Sequence, residues 1–158
     1  MEHHWDFQKI YIPTLRGLRS VSYSDSKTKS KLDVYRLRTI DDYFPNNSQL
    51  SIFTGLNLYE DTKKLLLGAK EDRDLITGFE TFLSESFFNN KKVNIIPRID
   101  DDVMHVKIDD QERRISELGD GIQSVIILTY PLFFNRGKTM KIFMEEPEHY
   151  LSQSWIIL

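Results

Sequence analysis

The chain has 158 residues, of which 21 are Lys or Arg and 24 are Asp or Glu, so its net charge is −3. This length suits one domain with a real hydrophobic core, and the acidic balance argues against a domain held on nucleic acid by phosphate contacts. The chain has no cysteine, which excludes disulfides, zinc–thiolate sites and thiol catalysis. Without a long apolar run or a signal-peptide start, we expect a cytoplasmic protein and no membrane partner.

The first half of the chain predicts one strand, one loop and two helices. Residues 9–15 are β-branched and aromatic, and they predict a short strand that runs into a loop at a proline. Residues 20–31 are rich in serine and lysine and predict a loop. Residues 58–68 carry acids early, lysines later and a closing glycine, whereas residues 70–88 repeat apolar side chains every three or four positions. Both patterns predict a helix.

The pattern then changes to that of a small antiparallel meander. Residues 93–99 and 103–108 predict two strands joined by an aspartate-rich turn. A second turn at Asp109 and Asp110 leads into a further basic segment, Arg113–Ile115.

The last third predicts a helix, a turn and a strand. The helix begins at about residue 120 and is expected to end or kink near Pro131. Residues 135–138 predict a turn, and residues 140–144 predict a short apolar strand.

Acidic side chains follow this apolar strand directly, in the order Glu145, Glu146, Pro147, Glu148. In open α/β sheets, ligands bind outside the carboxyl ends of the strands. Two adjacent carboxylates there can divide two tasks: one holds Mg²⁺ through oxygen, and the next orients or deprotonates an attacking water. A solvated strand end is the alternative interpretation.

A glycine-containing segment over residues 118–123 opens the preceding predicted helix. Glycines allow a ligand to approach the backbone, and a helix N-terminus favours anions. A simple turn and helix cap is the alternative.

In this order, the glycine segment, the helix, the apolar strand and Glu145–Glu148 resemble the second half of an ABC-type ATPase head. More narrowly, they resemble the bacterial AAA-family ATPases with ABC-like heads, the group that includes the overcoming-lysogenization-defect nucleases. Residues 11–17, which read YIPTLRG, add to the resemblance, because a Tyr-Ile-Pro-x-x-Arg strand follows the phosphate-binding segment in many such proteins. The resemblance implies an α/β fold. Residues 1–158 would form one partial P-loop NTPase head, with a helical segment and a β-hairpin insertion.

The resemblance also implies roles for individual residues. Glu145 matches the Walker B acid near Mg²⁺, and Glu146 matches the catalytic glutamate that positions water for ATP hydrolysis. The signature segment, which in the family reaches the γ-phosphate of ATP bound by the opposing subunit, is matched by Gly119, Asp120, Gly121 and Gln123. Gly119 stands where many relatives have serine, and Asp120 can alternatively be a helix N-cap. Arg16 matches an arginine of the family's strand, with a salt-bridging surface arginine as the alternative.

The departures from the family concern the phosphate loop and the segment after Glu148. A P-loop reads G-x-x-x-x-G-K-[ST], and the only Gly-Lys-Thr lies at 137–139, with Leu132 where the first glycine would stand. We interpret it as a turn. The family's P-loop precedes the Tyr-Ile-Pro strand, and its histidine and proline after the acids are replaced here by Ser152 and Gln153. The sequence therefore predicts a truncated or split head with little activity alone.

The expected ligands are ATP and Mg²⁺, and the expected protein partner is a second copy of the chain, giving a homo-oligomer, or a complete ATPase head. The resemblance to the family adds an effector protein or DNA as a further partner. A non-catalytic interaction module is the alternative function, and an unrelated self-sufficient α+β domain is a third. His105 with Asp100–Asp102 can be interpreted as a metal cluster, but the sequence favours a hairpin turn beside a histidine on a strand.

Overall fold

The computed structural model describes residues 7–14, 16–18, 33–45, 50–100 and 102–148. These residues form two three-stranded sheets, four α-helices and a short 3₁₀ turn, which confirms the predicted α/β class. In chain order the elements are β1 (Gln8–Ile12), α1 (Val34–Tyr43), β2 (Ser51–Ile52), α2 (Leu58–Leu67), α3 (Lys70–Phe87), β3 (Val93–Arg98), β4 (Val103–Ile108), β5 (Gln111–Arg114), the 3₁₀ turn (Ile115–Glu117), α4 (Asp120–Phe134) and β6 (Met140–Met144).

The first sheet is parallel, in the order β2-β1-β6. The central strand β1 pairs with β6 over its whole length, from Gln8 beside Met140 to Ile12 beside Met144. The backbone N–H of Glu145 donates to the carbonyl of Ile12 at 3.0 Å and extends this ladder by one bond. Because all three strands run the same way, the segments that follow them lie at one edge of the sheet.

The second sheet is the antiparallel meander β3-β4-β5 that the sequence predicts. Alternate residues of β3 and β4, including Val93, Ile95 and Val106, are buried on its inner face. The outer edge of β3 is closed by a side chain of α3: Glu80 accepts the N–H of Ile95 at 2.8 Å and the amide of Asn94 at 3.1 Å. Burial raises the pKa of Glu80, and these two donors oppose the shift.

One apolar core joins both sheets, and α4 runs through it. Residues 123–128 of α4 are all buried, so this helix has no solvent face over that stretch. Phe79 of α3, fully buried, packs its ring 5.3–5.5 Å from the rings of Tyr130, Phe133 and Phe134. Aromatic pairs at these separations stabilise the core beyond the area that they bury.

The sequence predicts that the last helix ends or kinks near Pro131, and the structure shows that it does not end at the proline. Helix α4 continues through Pro131 to Phe134. A proline inside a helix removes one backbone hydrogen bond, but here the next turn places Phe133 and Phe134 against Phe79. The continuation of α4 past the proline is what brings these two rings into the core.

The other predicted elements agree with the structure to within a few residues, and two elements were not predicted. Helices α2 and α3, strand β6 and the turn at 135–138 are confirmed. The strand predicted over 9–15 is β1, which ends before Pro13. Helix α1 and the two-residue strand β2 are additional. The loop predicted over 20–31 lies outside the described residues.

Gly55 supplies a stability test, because two independent features require glycine there. Its φ is +87°, and a Cβ would lie 2.9 Å from Cγ1 of Ile127 and 3.1 Å from the carbonyl oxygen of Gly17. We expect Gly55→Ala to lower the free energy of unfolding by about 2–4 kcal/mol, from left-handed backbone strain plus overpacking. Urea unfolding monitored by circular dichroism measures this loss.

Gly119→Ser is the matched control for that measurement. Gly119 precedes α4 as its N-cap, and a Cβ there meets nothing within 4 Å. A serine at an N-cap is more stabilising than glycine by a few tenths of a kcal/mol. Equal stability losses in the two variants would contradict the role given to Gly55.

Candidate functional site

Two adjacent glutamates lie at the carboxyl edge of the parallel sheet, directly after β6. Glu145 is held at the end of the ladder by its backbone bond to Ile12. Glu146 follows with φ of +42°, in the left-handed region that non-glycine residues seldom adopt. The chain therefore turns sharply at Glu146, just beyond the carboxyl end of β6.

The carboxylate of Glu145 accepts three hydrogen bonds from the segment that contains β1. The hydroxyl of Tyr11 donates to Oε1, while the backbone N–H and the hydroxyl of Thr14 donate to Oε2 at 2.8 and 3.0 Å. The Tyr11 hydrogen bond is the main reason that the pKa of Glu145 lies below its ordinary value, followed by the Thr14 N–H, while partial burial opposes the shift. Glu145 is therefore ionised at neutral pH.

Arg16 ties the loop after β1 to the turn after β6. Its Nη1 donates to the carbonyls of Pro13 at 3.1 Å and Glu145 at 2.6 Å, and its Nη2 donates to the carbonyl of Glu146 at 2.8 Å. Its charge also contributes to the low pKa of Glu145. Arg16, for which the sequence left two roles open, thus fixes the backbone of both glutamates.

Beside this turn lies a cavity of about 260 Å³, which we call the Arg16 cavity. Its wall brings together three residues of the predicted site, Arg16, Asp120 and Gln123. The other lining residues are Gly17, Tyr35, Ser124 and Ile127. The cavity therefore joins the loop after β1 to the first turns of α1 and α4.

The remaining residues of the predicted signature segment do not line this cavity. Gly119 is the N-cap of α4, and Gly121 lies in its first turn. The alternative in which Asp120 is the N-cap is wrong, because Gly119 is the N-cap and Asp120 is the first residue of the helix. Its carboxylate instead accepts a long hydrogen bond, 3.4 Å, from the side-chain amide of Gln123.

The Gly-Lys-Thr at 137–139 lies in the turn between α4 and β6, as the sequence predicts. Gly137 has φ of +82°, and the carbonyl of Thr139 accepts the N–H of Gln8 at 3.3 Å as the first bond beside the parallel ladder. A strand, and not a helix, follows this segment. It therefore lacks the strand–loop–helix arrangement in which a P-loop binds phosphate.

The histidine and acids of the meander contact one another and Arg98. Nδ1 of His105 lies 3.1 Å from Glu112, and Arg98 bridges Glu112 at 3.2 Å and Asp100 at 2.6 Å. Arg98 holds the pKa of Asp100 down at about 2. Within the described ranges no group of three or more His, Asp or Glu side chains could hold a metal ion.

A single carboxylate can still contribute to a Mg²⁺ site, because Mg²⁺ is usually held by one or two carboxylates together with water and phosphate oxygens. Glu145 is ionised, and a carboxylate has about four acceptor positions, of which three are used here. Its donor chemistry therefore fits Mg²⁺ as a partner held partly through water.

No protein-family model, curated protein or solved structure matches this chain. Over the part of the chain that the structure describes, no helix is long and apolar enough to cross a membrane. The ATPase assignment thus stays a prediction that rests on the residues and their geometry.

Sequence reasoning missed two residues that contact the site directly, Tyr11 and Thr14. Both lie in the YIPT segment, but only the pairing of β1 with β6 brings them to Glu145. The available signal was the pair of hydroxyl side chains at the end of a predicted strand.

Tyr11 provides a direct test of this geometry. We expect Tyr11→Phe to raise the pKa of Glu145 toward the ordinary glutamate value of about 4.3, because the main hydrogen bond to the carboxylate is lost. Carbon-13 NMR titration of the Glu145 carboxyl measures the shift. Tyr43→Phe is the control, since Tyr43 is 64% exposed. An unchanged titration in Tyr11→Phe would contradict the proposed contact.

The same shift has a consequence for acid stability. A carboxyl whose pKa is lower in the folded state stabilises the protein above its unfolded pKa, and that stability is lost as the pH falls through the folded value. The Tyr11→Phe variant should therefore lose less stability than the parent protein on acidification below about pH 4.3.

Proposed function

We propose that this chain is part of an ABC-like ATPase head in which Glu145 and Glu146 form the hydrolytic edge. The observation that carries the proposal is the ionised, three-fold hydrogen-bonded Glu145 at the carboxyl end of a parallel strand. That edge is where ligands bind in open α/β sheets. The resemblance to the AAA-family ATPases supports the choice of ATP, and cytoplasmic location belongs to the same proposal.

In this proposal the two glutamates have different tasks because their surroundings differ. Glu145 is oriented by Tyr11 and Thr14, and it would hold Mg²⁺ through a carboxylate oxygen. The bound ion would neutralise phosphate charge as it develops in phosphoryl transfer. Glu146 has an exposed side chain and a backbone carbonyl fixed by Arg16. It would orient an attacking water and accept its proton.

The signature segment at the start of α4 would act on nucleotide bound by an opposing head. Asp120 is exposed, and open space lies beside Gly119. These residues are accessible at the end of a helix whose N-terminus favours anions. The resemblance implies that such a segment reaches nucleotide held by the phosphate loop of an opposing head, so the proposed partner is a complete ATPase head.

Mg²⁺-ATP titration by calorimetry tests the role of Glu145. With a single ionised ligand and no phosphate loop in the sequence, we expect weak binding, and we expect Glu145→Gln to weaken it about tenfold or more through loss of a charged ligand. Glu148→Gln is the matched control, since Glu148 is an exposed acid three residues further on. Equal effects of the two substitutions would contradict a specific role for Glu145.

The rate of ATP hydrolysis distinguishes the proposed role of Glu146 from that of Glu145. Glu146→Gln should retain Mg²⁺-ATP binding and lower any hydrolysis rate about 10²–10⁴-fold, the usual contribution of a general base. The chain alone should turn over ATP very slowly. Fast turnover by the isolated chain would show that it builds its own phosphate site.

A specific surface feature favours a second candidate, a non-catalytic module that pairs with another protein. Among the described strands, β6 lies at one side of the parallel sheet and β2 at the other, and Phe143 on β6 is 52% exposed. An exposed aromatic on an outer strand is typical of an interface. The partner would be a second copy, a complete head or an effector.

The mass of the chain in solution tests this second candidate. If β6 is an interface between copies, light scattering should give a mass above that of the monomer, and Phe143→Ser should return it to the monomer value. Leu67→Ser is the control, because Leu67 is 74% exposed and belongs to helix α2. A monomer at all concentrations would remove the case for self-association.

A further inference from the structure

The core-facing side chains of β6 are less covered than those of its neighbour β1. Among the described strands β6 pairs only with β1, whereas β1 has a strand on each side. Ile10 and Ile12 on the core face of β1 are 3% and 0% exposed. Three side chains of β6 pack against the same core and stay only half-buried. They are Met140, Ile142 and Met144. The apolar side chains of β6 are therefore covered from one side only.

The other face of the same two strands carries lysines and aromatic rings. The register places Lys9 beside Lys141. Two positions further on, it places Tyr11 beside Phe143, whose side chain is exposed. Since side chains alternate between the two faces of a strand, these residues point away from the core. The strand β6 thus has apolar side chains on one face and a lysine two residues from an exposed aromatic on the other.

Two positive charges lie close together on this outer face. The Nζ atoms of Lys9 and Lys141 lie 5.8 and 4.2 Å from the centre of the Phe7 ring. Cation–π contacts hold both groups near one ring, although like charges on neighbouring strands repel each other. Within the described ranges no carboxylate forms an ion pair with either lysine. A carboxylate brought by a partner would relieve this repulsion.

These features match the requirements of strand addition. An extended segment that adds to a sheet edge gains main-chain hydrogen bonds, and its alternate side chains contact the two faces of the sheet. On the core face it would cover the half-buried row of β6. On the outer face it would meet Lys141 and Phe143. The complementary segment is therefore apolar at every second position, with an acid and an aromatic residue between the apolar ones.

We propose that β6, through the side that faces away from β1, binds an extended acidic segment of another protein as a further strand. The carboxylate of that segment lies beside the ammonium groups of Lys141 and Lys9, and its aromatic side chain packs on Phe143. The inference names the partner chemistry of the non-catalytic module described above. It rests on that second candidate function and not on ATP hydrolysis.

Charge complementarity favours this occupant over three others. Residues 149–158 of the chain contain no Asp or Glu, and β6 contains none either. Neither that segment nor β6 of a second copy therefore supplies a carboxylate to the lysines. A single-stranded nucleic acid carries anionic phosphates, but it offers no apolar side chains to the half-buried row of β6, and the chain has a net charge of −3.

A capped peptide, acetyl-Thr-Val-Glu-Val-Tyr-Val-Thr-amide, tests the proposal, together with its reversed sequence to cover both strand directions. We expect one of the two to bind at millimolar concentration or below, with amide NMR shifts concentrated at Lys141, Ile142 and Phe143. The same peptide with Lys in place of Glu should bind at least about threefold more weakly, the scale of an exposed ion pair.

N-methylated peptides separate strand addition from other apolar contacts. Methylation of the three valines removes one set of main-chain donors, and methylation of Glu and Tyr removes the other set. Because only one set faces the sheet in an added strand, one of these two forms should lose binding. Retention of binding by both forms would overturn strand addition.

Charge reversal assigns the binding to the two lysines. The double variant Lys9→Glu, Lys141→Glu should bind the Lys peptide more tightly than the Glu peptide, which a merely structural role would not produce. Both lysines are exposed, and thermal unfolding checks that the fold is retained. The matched control is Lys70→Glu, Lys91→Glu, which makes the same charge change at exposed positions outside the parallel sheet. It should keep the preference for the Glu peptide.

Several outcomes would overturn the proposal and identify what replaces it. No shifts on β6 at millimolar peptide, or equal affinity for the Glu and Lys peptides, would remove the acidic segment. A dimer that Phe143→Ser breaks and that the peptide does not displace would assign β6 to a second copy. Nuclear Overhauser contacts between β6 and residues 149–158 would assign it to the chain itself. Tighter binding of oligothymidine at the same amides would assign the lysines to nucleic acid.

The failure of this inference and that of the proposed function are distinguishable. Mg²⁺-ATP binding that depends on Glu145 supports the hydrolytic edge whether or not the peptide binds. Self-association without peptide binding would leave the second candidate function in place and overturn only the acidic partner. Peptide binding that follows the charge reversal, together with ATP binding indifferent to Glu145, would support the added strand and overturn the hydrolytic edge.

Discussion

The parallel pairing of β1 with β6 is the constraint on which the candidate site depends. These strands are distant in sequence, and their register places Tyr11 beside Phe143 and Ile12 beside Met144. One residue beyond the ladder, Glu145 meets the hydroxyl of Tyr11 and the N–H and hydroxyl of Thr14. A shift of one residue would turn these side chains to the other face of the sheet and leave the carboxylate without its donors.

Arg16 extends this constraint from one glutamate to the next. A guanidinium presents several donors in a fixed fork, and here two of its nitrogens bind three carbonyls from two separate loops. The backbone of Glu146 is thereby held in a left-handed conformation that costs free energy. Such strain persists where surrounding bonds determine it, and it is frequent at functional sites.

The rest of the fold supports this edge through helix α4. Its middle is buried on all sides, so it positions its first turn, with Asp120 and Gln123, against the loop that carries Arg16. Gly55 allows the chain after β2 to approach Ile127 of the same helix closely. The antiparallel meander completes the core from the other side, with its open edge closed by Glu80.

The sequence by itself determined most helices and strands, because their signals are local. The apolar spacing of α2 and α3, the alternation in the meander and the acids after β6 can all be read within a short window. Two elements, α1 and β2, were not predicted from the sequence. α1 has a weak apolar pattern, and its Asp33 cap is completed by the distant hydroxyl of Thr54 at 2.6 Å. β2 has only two residues and is defined by its pairing with β1.

Only the tertiary structure decided which side chains meet. Glu145 and Arg16 could be named from the sequence, but the partners Tyr11 and Thr14 lie more than 130 residues away from Glu145, and no local pattern specifies a pairing between parallel strands. The same reason explains why α4 continues past Pro131. A helix end can be predicted from proline alone, whereas the packing of Phe133 and Phe134 on Phe79 exists only after the chain has folded.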